Sequence, residues 1–367
     1  MKRLLAVLLC AALLLPGTAL AENTPQDVPA QAAYLMEANS GRVLYAKNEN
    51  ARLPMASTTK IMTALLAVES GRLSETVRVP DAAAGTEGSS MYLKSGETIP
   101  LLDLVYGLML RSGNDAAVAI AWFLEGGTEA FAARMNARAS ELGLFDTHFV
   151  TPNGLHDPDH YTTAKDLALL CAAALENPVF AEIASTRYRK TEGSDPHTLK
   201  NKNRLLWEYE GAIGVKTGYT KAAGKCLVFA AERGGMKLIG AILNCPTMWN
   251  TAKNLLDMGF SRYRAQRFLP RETVFSVPVE NGVKKALSAA PILAILYPTE
   301  IDGGETYTVE TTFHRIRAPV KAGDPVGTAS LLRNGTVVST VPIVALESAD
   351  TADLPYYLRK TVLGFLG

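Results

Sequence analysis

The chain has 367 residues, 48% of them apolar and 20% charged, a composition that excludes a disordered chain. Lys and Arg number 37 against 36 Asp and Glu, with no long run of one sign, so the basic footprint of a nucleic-acid binder is missing. Only one apolar run approaches spanning length, which excludes a polytopic membrane protein, and the length suits about two domains.

Residues Met1–Ala21 have the layout of a secretory signal peptide. Lys2 and Arg3 begin it, Leu4–Leu15 is an unbroken apolar run of twelve, Pro16-Gly17 breaks it, and Ala19-Leu20-Ala21 offers the small-x-small cleavage pattern. The run is shorter than the roughly twenty residues of a membrane span, so cleavage is expected rather than retention as an anchor. The mature protein is then exported and extracytoplasmic, with a charge balance of 35 minus 36, or −1. Cys171, Cys226 and Cys245 remain, an odd number that leaves at least one free thiol. Cys226 and Cys245 fall in adjacent strand-like runs and could pair, but three small buried side chains is the preferred reading.

A polar stretch, Glu22–Ala30, reads as a flexible lead. Ala33–Glu37 and Arg42–Ala46 flank Ala38-Asn39-Ser40-Gly41 as a β-hairpin. Ser57–Ser70 is a helix buried on most sides, ended at Gly71. Leu101–Leu110, Ala116–Leu124, Glu129–Leu142 and Ala164–Ala174 follow as helices. Val215–Thr220, Cys226–Ala231 and Lys237–Asn244 read as consecutive strands, and Thr251–Phe260 returns to helix. The pattern predicts an α+β domain over residues 31–264, one antiparallel sheet made from both ends with a helical cluster against it. Beyond Arg264–Pro270 the chain turns to short Val/Thr/Pro runs such as Thr273–Val279, Tyr307–Phe313 and Thr336–Val341. Asn334-Gly335 is a hairpin signal, a simpler reading than the glycosylation sequon it also completes. Residues 270–350 are therefore expected to be a small all-β domain. The tail, 351–367, mixes apolar and basic residues and suits either a membrane-surface helix or a helix docked on the β domain.

Three short motifs occur in order. Ser57-Thr58-Thr59-Lys60 opens the buried helix, Ser112-Gly113-Asn114 lies between two apolar helices, and Lys216-Thr217-Gly218 lies on the first late strand. Each alone is weak: a capping serine before a surface lysine, a polar turn, a strand end. Their agreement in order and element type, behind an export signal, points to nucleophilic catalysis. A serine hydroxyl needs a base, and at spacing i, i+3 Lys60 shares a face with Ser57. Burial and a second cation, Lys216, would lower the Lys60 pKa enough for that role. The helix dipole at Ser57 would favour developing negative charge. Ser112 is the candidate hydroxyl relay between Lys60, Lys216 and the leaving group. Asn114 would hydrogen-bond a substrate amide. Lys216 and Thr217 would hold a terminal carboxylate, and Gly218 would let the substrate backbone lie close. The backbone N–H groups of Ser57 and Tyr219 are the candidate oxyanion hole.

These motifs resemble the S-x-x-K, S-D-N and K-T-G set of penicillin-binding proteins and class A β-lactamases. The sequence resembles the D-alanyl-D-alanine carboxypeptidases, low-molecular-mass penicillin-binding proteins, over roughly residues 30–350. Longer segments carry this: Pro54–Thr63, Thr151–His156, His160–Ala168, Asn201–Leu206 and Gly214–Thr220. The resemblance implies a serine acyl-enzyme in which Ser57 attacks the penultimate D-Ala carbonyl of a peptidoglycan stem pentapeptide and the terminal D-Ala leaves. It also implies acylation of Ser57 by β-lactam antibiotics, no metal or organic cofactor, and a β-rich second domain that acts as a spacer or docking module.

Two positions depart from relatives: Tyr219 stands where some carry His, and Gly113 where the lactamase motif has Asp. No Glu-x-x-Leu-Asn segment of the class A lactamase kind is present. The alternatives are a β-lactamase on the same fold and a non-catalytic peptidoglycan-binding protein; an endopeptidase would use the same acyl-enzyme. His156-Asp157-Pro158-Asp159-His160 reads as a polar turn rather than a zinc loop. Arg111 reads as a helix C-terminal charge.

Overall fold

The computed structural model describes residues 28–365; the expected signal peptide lies outside the described residues. The first domain begins with a hairpin, β1 (Ala32–Glu37) and β2 (Val43–Lys47), then α1 (Lys60–Glu69) and a short strand pair, β3 (Thr76–Arg78) with β4 (Thr98–Pro100). Helices α2 (Leu101–Tyr106), α3 (Asn114–Glu125), α4 (Thr128–Glu141), α5 (Ala164–Glu176) and α6 (Pro178–Ser185) follow. A second short pair, β5 (Tyr188–Lys190) with β6 (Thr198–Lys200), and a single turn, α7 (Leu205–Glu208), lead into β7 (Ala212–Thr220), β8 (Gly224–Arg233), β9 (Met236–Leu243) and α8 (Met248–Arg262).

The main sheet has the order β2-β1-β9-β8-β7 and is antiparallel throughout. Its period-two alternation divides two cores. Ala32, Tyr34, Met36, Val228, Ala230, Ile239 and Ala241 face the helical cluster. Ala33, Leu35, Leu227, Phe229, Leu238 and Ile242 face Leu255 and Leu256 of α8. The sheet is thus covered on both sides, whereas the sequence reading set one cluster against it. All six β1 residues are buried, as a strand covered on both faces requires. The expected flexible lead also ends earlier than Ala30. Val28 and Ala30 are buried against the α8 core, and Lys47 Nζ donates to the Val28 carbonyl at 2.6 Å. Helix α6 is absent from the sequence reading, although its signals are local: Asn177 Oδ1 caps the N–H of Val179, and Pro178 fills the first helical position.

The second domain comprises β10 (Tyr263–Leu269), β11 (Phe275–Glu280), β12 (Ala286–Pro291), β13 (Ile295–Glu300), β14 (Tyr307–Phe313), β15 (Ile316–Arg317), β16 (Pro325–Arg333) and β17 (Thr336–Ala345), followed by helix α9 (Leu354–Phe365). Its six-stranded sheet runs β14-β16-β17-β12-β11-β15, beside the pair β10-β13. Val277, Leu287, Ile295, Leu331 and Ile343 form its separate core. Asn334 and Gly335 both take positive φ, 50° and 78°, and turn β16 into β17, as an Asn-Gly hairpin demands.

Candidate active site

Ala56 adopts a left-handed φ of 49° and opens a 3₁₀ turn, Ala56–Thr59, that passes into α1 at Lys60. Ser57 therefore stands in this tighter turn and not within the α-helix that the sequence suggests. Three residues per turn bring positions i and i+3 into line, and Lys60 Nζ lies 2.8 Å from Ser57 Oγ. The Thr58 and Thr59 hydroxyls pin the turn by donating to the carbonyls of Met55 and Ala56, at 2.7 and 2.8 Å.

Lys60 is fully buried. Its Nζ also donates to Asn114 Oδ1 at 2.7 Å and to the Asn153 carbonyl at 2.5 Å. None of these partners is a carboxylate. Burial first, then the charges of Lys216 and Lys202, hold its pKa well below the ordinary lysine value, with Asp115 acting in the opposite sense. The Asn153 carbonyl gets this close because Gly154 follows it at φ +82°; a Cβ there would stand 2.0 Å from the Ala56 carbonyl oxygen.

Ser112 ends a π turn, Gly107–Arg111, whose extra residue re-aims the chain. It sits at φ 63° on the wall of the same groove as Ser57. Asn114, the first residue of α3, is turned inward. Its Oδ1 meets Lys60 and its Nδ2 donates to the Glu87 carbonyl at 2.5 Å, so both ends of the amide expected to face substrate are engaged with protein groups. Asp115, not singled out by sequence, is buried. Its carboxylate accepts from Ser90 Oγ at 2.5 Å and from the N–H groups of Met91 and Leu93 at 3.0 and 3.1 Å. It ties the segment 87–93 to the positive end of α3.

Lys216, Thr217 and Gly218 lie on β7, the edge strand of the sheet, where backbone groups on the outer side have no neighbouring strand. A Cβ at Gly218 would stand 3.0 Å from the Met55 carbonyl oxygen and 3.1 Å from Ser57 N, so glycine sets how near this strand lies to the nucleophile turn. Lys216 is buried, and its Nζ donates to the Thr217 carbonyl at 3.1 Å. Burial, assisted by Lys202, lowers its pKa to about 7. Lys202 itself donates to Ser89 Oγ at 3.0 Å, and burial, with Arg111 nearby, lowers its pKa too. Sequence reasoning placed Lys202 only inside a long matching segment.

His160 belongs to the nucleophile's support. Its Nδ1 accepts from the Val150 N–H at 2.9 Å, which puts the ring proton on Nε2, donating to Thr59 Oγ1 at 2.7 Å. Burial lowers its pKa to about 4, so this neutral ring clips the loop 150–160 to the turn that holds Ser57. Together Ser57, Ser112, Lys202, Thr217, Gly218 and Tyr219 line a groove of about 450 Å³, with Met248 and Trp249 of α8 at its end. Lys60 and Asn114 stand behind it. Cys171, Cys226 and Cys245 are buried free thiols.

Residues 18–247 match the family described as D-alanyl-D-alanine carboxypeptidase, and residues 263–351 match the C-terminal domain of penicillin-binding protein 5. The chain belongs to the D-alanyl-D-alanine carboxypeptidase family. It is 34% identical over 382 residues to the D-alanyl-D-alanine carboxypeptidase DacF of Bacillus subtilis, covering 99% of this chain and 98% of the relative. It is 40% identical over 246 residues to DacB2 of Mycobacterium tuberculosis, covering 64% of this chain and 84% of that one. Penicillin-binding protein 5 from Haemophilus influenzae superposes with a TM-score of 0.76 at 28% identity, covering 89% of this chain and 99% of that structure. The Streptomyces K15 DD-transpeptidase superposes on 64% of this chain and 98% of its own, with a TM-score of 0.61 at 34% identity. The enzyme is thus a hydrolase, a low-molecular-mass penicillin-binding protein with an α+β first domain and an all-β second domain.

Proposed function

We propose that the enzyme removes the terminal D-alanine from peptidoglycan stem pentapeptides through an acyl-enzyme on Ser57. The observation that carries this reading is the buried Lys60 Nζ, 2.8 Å from Ser57 Oγ with no carboxylate partner. A neutral amine has two hydrogens and one lone pair. Asn114 Oδ1 and the Asn153 carbonyl take the hydrogens, which leaves the lone pair for the Ser57 hydroxyl proton.

Lys60 takes that proton as Oγ bonds to the penultimate D-Ala carbonyl carbon. The oxyanion forms against the backbone N–H groups of Ser57 and Tyr219. Ser112 relays a proton to the leaving amine as the C–N bond breaks, and D-alanine departs. Lys216 and Thr217 hold its carboxylate until then. Water attacks the ester, and tetrapeptide leaves with Ser57 restored. A β-lactam acylates Ser57 as a mimic of the same substrate.

Export by residues 1–21 would place this chemistry on the outer face of the cytoplasmic membrane, in cell-wall biogenesis and remodelling. Helix α9 supports a surface attachment: Leu354, Tyr357 and Leu358 share one face and are exposed. Binding to anionic vesicles, lost on truncation after Asp353, tests that attachment. The catalytic reading is tested by D-alanine release from a D-Ala-D-Ala peptide and by intact mass after penicillin. Both release and a stoichiometric adduct mapped to Ser57 are expected, and Ser57→Ala abolishes both. Steady-state penicillin turnover would favour a β-lactamase, and binding without any adduct would favour a non-catalytic protein.

A further inference from the structure

Beyond the Lys202 wall of the groove lies a second cavity of about 390 Å³, lined by Arg111, Lys200, Lys202, Arg204, Trp207 and Glu208. Local backbone geometry joins the two. The Lys202 N–H donates to the Leu110 carbonyl at 3.1 Å, so the segment carrying Lys202 lies against the π turn that ends at Arg111 and Ser112. One end of that turn thus presents Ser112 to the groove and Arg111 to the cavity.

The cavity is rich in uncompensated positive charge. Its single carboxylate, Glu208, is already bonded to Arg204 at 2.6 Å and Lys253 at 2.7 Å. The Lys200 ammonium lies over the Trp207 ring, 5.5 Å from its centroid. Arg111 is half-buried and has no carboxylate partner among the described residues. Burial chiefly, and repulsion from the neighbouring cation second, lower the pKa values of Lys202, beside Arg111, and of Lys216, beside Lys202. Lys200 and Lys202 are exposed and partly screened by solvent, whereas half-buried Arg111 has no counterion among the described residues, so an anionic ligand would meet unopposed positive charge there.

We propose that this cavity receives a second anionic group on the leaving side of the scissile bond, so that the enzyme releases acidic D-amino acids or acidic peptide amines as well as D-alanine. The inference rests on the proposed acyl-enzyme reading, which sets the leaving group's own carboxylate at Lys216 and Thr217. The Arg111 cavity lies past Lys202 from that point, beyond the first carboxylate. The chemistry is unchanged: Ser57 Oγ bonds to the same carbonyl carbon, the C–N bond breaks, and the departing amine takes the proton. Only the amine's substituent is larger.

The test uses two peptides identical up to the penultimate D-alanine carbonyl, one ending in D-alanine and one in D-glutamate. The purified enzyme is expected to cleave the D-glutamate peptide with a kcat/KM at least equal to that of the D-alanine peptide. Arg111→Gln lowers the D-glutamate to D-alanine ratio about three- to tenfold, the size of a partly screened ion pair, while D-alanine release stays within about twofold. Arg111→Lys restores the ratio, and 0.5 M salt erodes it in the wild type. A ratio that Arg111→Gln leaves unchanged, with D-alanine release intact, overturns the subsite alone. Absence of D-alanine release from the wild type would instead sink the acyl-enzyme reading and this inference with it.

Discussion

Arg42, where the β1–β2 hairpin meets the second domain, is nearly as hidden from solvent as Lys60 beside the nucleophile, but the two cations have opposite surroundings. The Arg42 guanidinium makes two 2.9 Å bonds to the Glu305 carboxylate and two more to the Pro298 carbonyl and the Tyr307 hydroxyl. It also lies over the rings of Tyr263 and Tyr297. Burial pulls its pKa down, but the bonds to Glu305 and Tyr307 more than offset this and raise it. Lys60 has three neutral partners, two cations nearby and a lowered pKa. A cation that joins two domains is given its counterion; one that must lose its proton is denied it.

The comparison breaks most readily at Lys60. Lys60→Met should lower the rate of Ser57 acylation by penicillin by about 10³-fold or more, the scale of a lost general base. It leaves the Asn114 Oδ1 and Asn153 carbonyl acceptors without the Lys60 donor but also removes a fully desolvated amine, so the net cost should stay below about 2 kcal/mol of stability. Arg42→Met should do the reverse. Acylation should change less than about threefold, while denaturant unfolding shows a loss of about 3 kcal/mol, as Glu305 loses both Arg42 bonds and keeps only the Tyr307 hydroxyl and Arg333 at 3.5 Å, and the Pro298 carbonyl loses its donor. If Arg42→Met silenced acylation, the separation of structural from chemical cations would fail.

A finer effect lies at Lys216. Its pKa of about 7 in the fold is below that of the unfolded chain, so between about pH 7 and 10 the unfolded state binds the extra proton. Stability should therefore rise with pH across that window, by at most about 1.4 kcal/mol per pH unit from this group. It should fall toward pH 7 and level off below. Lys216→Met should flatten that slope in parallel melts, and an unchanged slope would show that Lys216 stays charged in the fold.

What could be read from the sequence followed the range of each contact. Ser57 and Lys60 are three residues apart, so one turn of any helix joins them, and the 3₁₀ geometry only tightens the pairing. The Lys-Thr-Gly strand and the Asn334-Gly335 turn are local patterns of the same kind. The partners that complete the base are not. The Asn153 carbonyl reaches Lys60 across 93 residues, and a backbone oxygen carries no residue-type signal. Asp115 acts on N–H groups more than twenty residues earlier, and the His160 clip spans 101 residues. The covering of the second sheet face by α8 was hinted at only by runs too uniformly apolar for a half-exposed strand.

The most direct test is to titrate the Lys60 side chain by NMR of ε-carbon-labelled lysine, with Lys60→Met identifying the resonance. The Lys60 amine is expected to titrate with a midpoint well below the usual lysine value. A Lys60 signal that stays that of an ammonium up to pH 10 would contradict it, since the Ser57 hydroxyl would then have no base.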